Sequence, residues 1–168
     1  MYQSGAKTFV YKQGGTKCIL YIKKGGGEML TGLYEQNIDV KGRVSVPVRF
    51  RAFLGETFVA SIGDENCVCL YPMDEWEAYM ERVKSLSVDD RSMVMRYIQS
   101  CSAECDIDSQ GRVVIPPKVR DMAELKKEIV VMGGHNRVEI WNRNSWNRYE
   151  SEKIDMNRVP DLLKQIGF

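Results

Sequence analysis

Apolar residues in this chain fall in short, β-branched runs broken by Gly- and Asn-rich turns. Val44-Ser45-Val46 and Val113-Val114-Ile115 each follow a tight turn, Lys41-Gly42 or Gln110-Gly111, and read as strands. Pro47 and Pro117 then open short helices, at a position where a missing N–H costs nothing. Thr57 to Ile62 reads as a strand, Asp64-Glu65-Asn66 as a turn and Cys67 to Tyr71 as a second strand. Glu128 to Met132, the turn Gly133 to Asn136 and Arg137 to Trp141 repeat that order further on. A short helix carrying Trp76 or Trp146 closes each set. Between the sets, Ser87-Val88-Asp89-Asp90 has the form of a helix-capping box. Met93, Val94, Tyr97, Ile98 and Cys101 follow at helical spacing, which predicts a helix with these residues in the core. The tail, Pro160 to Phe168, reads as a short amphipathic helix through Leu162, Leu163 and Ile166.

The two sets are copies. Residues Ile38 to Arg51 align with Ile107 to Arg120 at a constant offset of 69, with seven of fourteen positions identical. Chance gives about one match, since a common residue makes up about 7% of a chain. With one extra residue the match continues: Leu70-Tyr71 falls on Ile140-Trp141, and Trp76 on Trp146. A unit of about 45 residues is therefore duplicated in tandem. One such unit cannot bury an apolar face alone, whereas two packed together can. The expected fold is mainly β with short helices, one pseudo-symmetric core built from both units. The expected segments are 29–84 for the first unit, 85–101 for a helical connector, 102–152 for the second unit and 153–168 for a tail.

A chain of 168 residues can bury roughly 70% of its unfolded surface, enough to need neither disulfides nor a structural metal. Its 28% charged residues exclude a long membrane span, and its 43% hydrophobic residues exclude wholesale disorder. The net charge of +1 hides an uneven distribution. Residues 1–28 hold Lys7, Lys12, Lys17, Lys23 and Lys24 against Glu28 alone, a balance of +4. The remaining 19 bases and 22 acids leave −3 for residues 29–168. The apolar run Cys18 to Ile22 is too short for a signal-peptide core. Residues 1–28 are expected to form a mostly disordered arm with a transient strand around Val10 and Leu20. Lys-Lys-Gly-Gly-Gly-Glu before Met29 is also what a purine-rich ribosome-binding sequence encodes when read in frame, so the arm is expected to be a translated leader ahead of a start at Met29.

Chemistry concentrates in the repeated turn. Asp39/Gly42/Arg43 and Asp108/Gly111/Arg112 share the pattern Asp-x-x-Gly-Arg. Glycine permits a positive φ, and an Asp four residues before Arg can pin the guanidinium across the turn. That pairing serves either to shape a hairpin or to present an arginine. Further bases lie close by: Lys41, Arg49 and Arg51 in the first copy, Lys118 and Arg120 in the second. Arginine on an exposed turn suits phosphate and base-edge contact, because its planar fork bonds two acceptors at once. Other constellations fail. The five cysteines lack paired CxxC knuckles, so no metal is expected. Cys67 and Cys69 lie on one strand, and only one of the two thiols is expected to face the core. His135 sits in a Gly-rich turn without a nucleophile motif, and Gly25-Gly26-Gly27 lacks the Lys-Ser/Thr of a phosphate loop. No enzyme, cofactor or small-molecule substrate is expected.

Met29 to Pro47 resembles the opening of MraZ proteins, and Ser102 to Pro116 resembles their second half. Leu70-Tyr71-Pro72 with Glu75-Trp76, and Val138-Glu139-Ile140-Trp141, are similar to family signatures as well. The resemblance implies two AbrB-like swapped-hairpin units forming one pseudo-two-fold, β-barrel-like domain. It implies a ring-shaped homo-oligomer and a cytoplasmic, nucleoid-associated repressor of the bacterial division and cell-wall gene cluster, bound to double-stranded DNA. The family's Asp-x-x-x-Arg motif maps onto Asp39 with Arg43 and onto Asp108 with Arg112. Lys41, Arg49, Arg51, Lys118 and Arg120 extend the expected DNA-binding set. A head-to-tail ring presents each patch in the same sense, so direct repeats about 10 bp apart are expected in the promoter. An AbrB-like antitoxin and a scaffold ring without DNA are the alternatives. The doubled unit and the short segment after Ile154 speak against the antitoxin.

Overall fold

The computed structural model describes residues 7–13, 16–22 and 30–167, with side chains from residue 30 onward. Strands β1 (Lys7–Gln13) and β2 (Thr16–Ile22) pair antiparallel, with Val10 opposite Ile19 and Phe9 opposite Leu20. The strand expected around Val10 and Leu20 thus has a counterpart; the rest of segment 1–28 lies outside the described residues.

The first unit runs β3 (Leu33–Asn37), β4 (Arg43–Ser45), α1 (Val48–Leu54), β5 (Thr57–Ile62), β6 (Val68–Pro72) and α2 (Met73–Lys84). Helix α3 (Val88–Ser100) connects it to the second unit. That unit runs β7 (Ser102–Asp106), β8 (Arg112–Val114), α4 (Pro117–Met122), β9 (Glu128–Gly133), β10 (Val138–Asn142) and α5 (Arg143–Lys153). A last helix, α6 (Val159–Gln165), follows. Six strands form one antiparallel sheet in the order β3-β9-β10-β6-β5-β7. The order is a palindrome of the repeat, and its outer strands are exchanged. β3 of the first unit pairs with β9 of the second, and β7 of the second pairs with β5 of the first. The register repeats too: Asn37 opposes Glu128 as Asp106 opposes Thr57. At the centre β6 meets β10, with Cys69 opposite Glu139. A second, two-stranded ribbon pairs β4 with β8.

This architecture corrects the expected fold class. It is a mix of helix and strand rather than mainly β, and the six-stranded sheet is open rather than closed into a barrel. In the sequence only Trp76 and Trp146 mark the closing helices, which makes them look short. α2 and α5 extend to 12 and 11 residues because aromatic faces cover the sheet: Trp76 and Tyr79 meet Tyr71, while Trp146 and Tyr149 meet Trp141. The main core draws on both units, with Val44, Phe50, Phe58 and Leu70 against Val113, Ile115, Ile129 and Ile140. The capping box holds: the Ser87 hydroxyl accepts from the Asp90 backbone N–H. The stripe behind it holds in part. Ile98 and Cys101 are buried, but Met93 and Tyr97 are 64% and 54% exposed. Helix α3 packs chiefly on α2 and β7, so Val88, Met93 and Tyr97 remain exposed while Val94 and Met95 are half-buried.

Candidate nucleic-acid interface

Each repeated turn is built by its aspartate. The Asp39 carboxylate accepts the backbone N–H groups of Lys41 and Arg43 at 2.9 Å and the Arg43 Nε–H at 2.5 Å. Backbone bonds from Gly42 to Asp39 and from Asp39 to Arg43 close the loop. In the second copy Asp108 accepts from Gln110, from the Arg112 backbone and from Arg112 Nε, all at 2.9 Å. Gly42 and Gly111 both sit at φ 76°, where a side chain is strained. The same bonds favour the carboxylate anion. Asp39 and Asp108 titrate below the ordinary range, held there first by the Arg43 and Arg112 backbone N–H groups and then by their guanidinium groups.

The ribbon brings the two turns together. Val44 pairs with Val113, and both point into the core without exposure. Their neighbours Arg43, Ser45, Arg112 and Val114 therefore take the opposite face, since side chains alternate along a strand. Arg43 opposes Val114 and Arg112 opposes Ser45, so the two arginines lie diagonally across one outer face. Their side chains keep 29% and 28% of their surface, enough to reach a ligand while still bonded to aspartate.

The other expected bases separate into three groups. Lys41 at the tip of the first turn and Lys118 on α4 are exposed. Arg51 and Arg120 instead lock the units together. The Arg51 guanidinium lies over Gly111 and that of Arg120 over Gly42, each against the turn of the opposite unit. Arg51 also donates to the Val46 carbonyl at 2.6 Å. Val46 N–H to Gly111 O and Ile115 N–H to Gly42 O, both 2.9 Å, complete the interlock. Arg49 donates to the Thr31 carbonyl and is half-buried.

Sequence reading missed Lys126 and Lys127. They border a groove with Asp39 and Arg120 beside the first turn, and the Lys127 carbonyl accepts the Ile38 N–H at 3.0 Å. Only the exchange of β3 onto β9 places them there. The first turn is therefore the more basic, since the second carries Gln110 where the first has Lys41. The reading of Cys67 and Cys69 is corrected as well. Residues two apart on a strand share a face, and both thiols are buried, 3.7 Å apart.

Among the described residues no helix is long and apolar enough to cross a membrane. A family model described as "MraZ protein, putative antitoxin-like" matches residues 29–96 and 100–162. A protein of Natranaerobius thermophilus named "Transcriptional regulator MraZ" is 40% identical over 126 residues, covering 74% of this chain and 88% of that relative. Another of the same name from Halothermothrix orenii is 40% identical over 142 residues, covering 83% and 99%. One from Desulforamulus reducens is 42% identical over 127 residues, covering 74% and 89%. With both repeated units matched and identity sustained across them, the chain belongs to the MraZ family.

Proposed function

We propose that this chain is a transcription regulator that binds double-stranded DNA in a sequence-specific manner through the outer face of the β4–β8 ribbon. The observation that carries this reading is the pair of equivalent aspartate-held arginines, Arg43 and Arg112, on that one face. An Arg whose Nε is fixed by carboxylate keeps terminal N–H groups for phosphate or a guanine edge at little entropic cost. Lys41, Lys118, Lys126 and Lys127 add electrostatic attraction beside it. Arg51 and Arg120 hold the turns in place. The protein is a repressor and not an enzyme, acts in the cytoplasm at the nucleoid, and controls its own promoter ahead of the division and cell-wall genes.

A ribbon this small makes few phosphate contacts, so binding to DNA requires several copies acting together. A ring-shaped homo-oligomer supplies them, and the uncovered apolar residues of α3 support association between copies. Direct repeats near one helical turn apart match the ring. The test is a mobility shift against the region upstream of the chain's own operon, with wild type and Arg43→Ala. Wild type shifts that DNA in a salt-sensitive, sequence-dependent manner. Arg43→Ala abolishes the shift and leaves the oligomer intact by light scattering. Loss of the oligomer in this variant would make the Asp39–Arg43 pair a structural strut instead. The family description also supports a second reading, an antitoxin-like protein; a wild type that shifts no DNA at 50 mM salt would favour the scaffold ring over the regulator.

A further inference from the structure

The repeat places unlike residues at equivalent points of the central strand pair. With the offset of 70 that relates Leu70 to Ile140, Cys67 corresponds to Arg137, Cys69 to Glu139 and Tyr71 to Trp141. Cys69 and Glu139 are also directly opposed in the β6–β10 ladder, so the pseudo-two-fold axis passes between them. On one face of this seam the second unit carries an ion pair, Arg137 Nε to Glu139 at 2.9 Å. The first unit carries two thiols at the same places.

We propose that Cys67, Cys69 and Glu139 form a binding site for one thiophilic divalent cation of the zinc and cadmium class. Three observations support it. First, the Cys67 and Cys69 sulfurs are 3.7 Å apart. Two thiolates on a tetrahedral zinc, each about 2.3 Å from the ion, stand about 3.8 Å apart. Among the described residues this is the one group of three possible ligands whose donor atoms all lie within 4.8 Å of one another. Second, the carboxylate is held for the task. Arg137 donates to one Glu139 oxygen and Trp141 Nε1 to the other at 3.0 Å, which fixes its orientation and leaves lone pairs on both. Third, charge balances. Two thiolates and a carboxylate give −3, and Arg137 with a divalent ion restores neutrality, as a buried site requires. Binding exchanges the two thiol protons for the ion and releases them to solvent. Gly63 makes the room, since a Cβ there would stand 2.5 Å from the Cys69 sulfur and 3.0 Å from that of Cys67. Three protein donors leave the fourth position of a tetrahedral ion to water. The ion would tie β6 to β10, and so one unit to the other.

The test titrates the reduced, metal-stripped full chain with Co²⁺, which reports thiolate ligation by a charge-transfer band and tetrahedral geometry by its visible spectrum. The expected result is a band saturating at one equivalent per chain, displaced by Zn²⁺ or Cd²⁺ but not by Mg²⁺. Cys67→Ser and Cys69→Ser each abolish it, and Glu139→Gln weakens binding at least tenfold. A band that persists in the Cys67→Ser/Cys69→Ser double variant, or no band in wild type, overturns the site. Because buried substitutions can compromise folding, wild type supplies its own control. Zn²⁺ should protect Cys67 and Cys69, and not Cys101 or Cys105, from alkylation read peptide by peptide. Equal labelling with and without Zn²⁺ overturns the proposal as well.

Discussion

Asp39 and Asp108 each do two things with one side chain, and a substitution can separate them. Oδ1 takes two backbone N–H groups, which makes the turn; Oδ2 takes the Arg Nε–H, which aims the arginine. Asparagine keeps an acceptor for the turn but loses the anion that holds the guanidinium. In the proposed interface Asp39→Asn therefore weakens DNA binding without opening the turn. The same bonds set a pH dependence. Both carboxyls are depressed in the folded chain, so their contribution to stability is complete above the ordinary aspartate value of about 3.9 and is lost as pH falls through the lower folded values. Near neutral pH they add no slope. Unfolding midpoints of wild type and of Asp39→Asn/Asp108→Asn, measured from neutral pH down to about pH 2, check this. Wild type loses more of its stability on acidification than the double variant, and parallel curves would show that the carboxylates do not hold the turns.

At the scale of elements, the exchange of β3 and β7 and the interlock of the ribbon make two units into one fold. The two glycine turns receive the opposite unit's arginine, and this contact has a measurable cost when blocked. Gly42 at φ 76° and Gly55 at φ 77° (ψ −164°) both lie where a side chain is strained, but a Cβ at Gly55 meets open space while one at Gly42 meets the Arg120 guanidinium. Gly55→Ala is expected to cost about 1–3 kcal/mol for its backbone alone, a conformation essentially confined to glycine. Gly42→Ala adds the displacement of Arg120, another 1–3 kcal/mol or so. In an Arg120→Ala background the excess should vanish, a coupling that denaturant unfolding of the four-member cycle reads directly. No coupling would mean that Arg120 is free for DNA. Strands β5, β6, β9 and β10 were legible to within a residue because their apolar runs are local. β3 and β7 were not, since Leu33–Asn37 and Ser102–Asp106 are outer strands in which only Cys105 is buried. The repeat alone cannot say whether such strands pair at home or across. For that reason the aspartate–arginine turns, defined within five residues, were readable, whereas the locking role of Arg51 and Arg120 and the position of Lys126 and Lys127 were not.

For the whole molecule, a net charge of +1 says little about DNA, because charge is arranged by place. The first turn gathers Lys41, Lys126 and Lys127, while the second offers Gln110 at the matching tip. If both turns of every copy face the duplex, the neutral tip is a contact the protein forgoes, and restoring it tests the geometry of the assembly. Each phosphate neutralised by a cation steepens the fall of log K with log salt by about 0.9. Gln110→Lys should therefore raise affinity at low salt and steepen that slope by about 0.9 for every subunit engaged, several units for a ring on tandem repeats. Lys41→Gln should flatten it by the same amount. Fluorescence anisotropy with one-, two- and three-repeat duplexes across a salt series measures both. A difference from the wild-type slope that grows with repeat number for Lys41→Gln but is absent for Gln110→Lys would mean that only the first turn of each copy meets DNA, and that the pseudo-two-fold of the fold is broken at the interface.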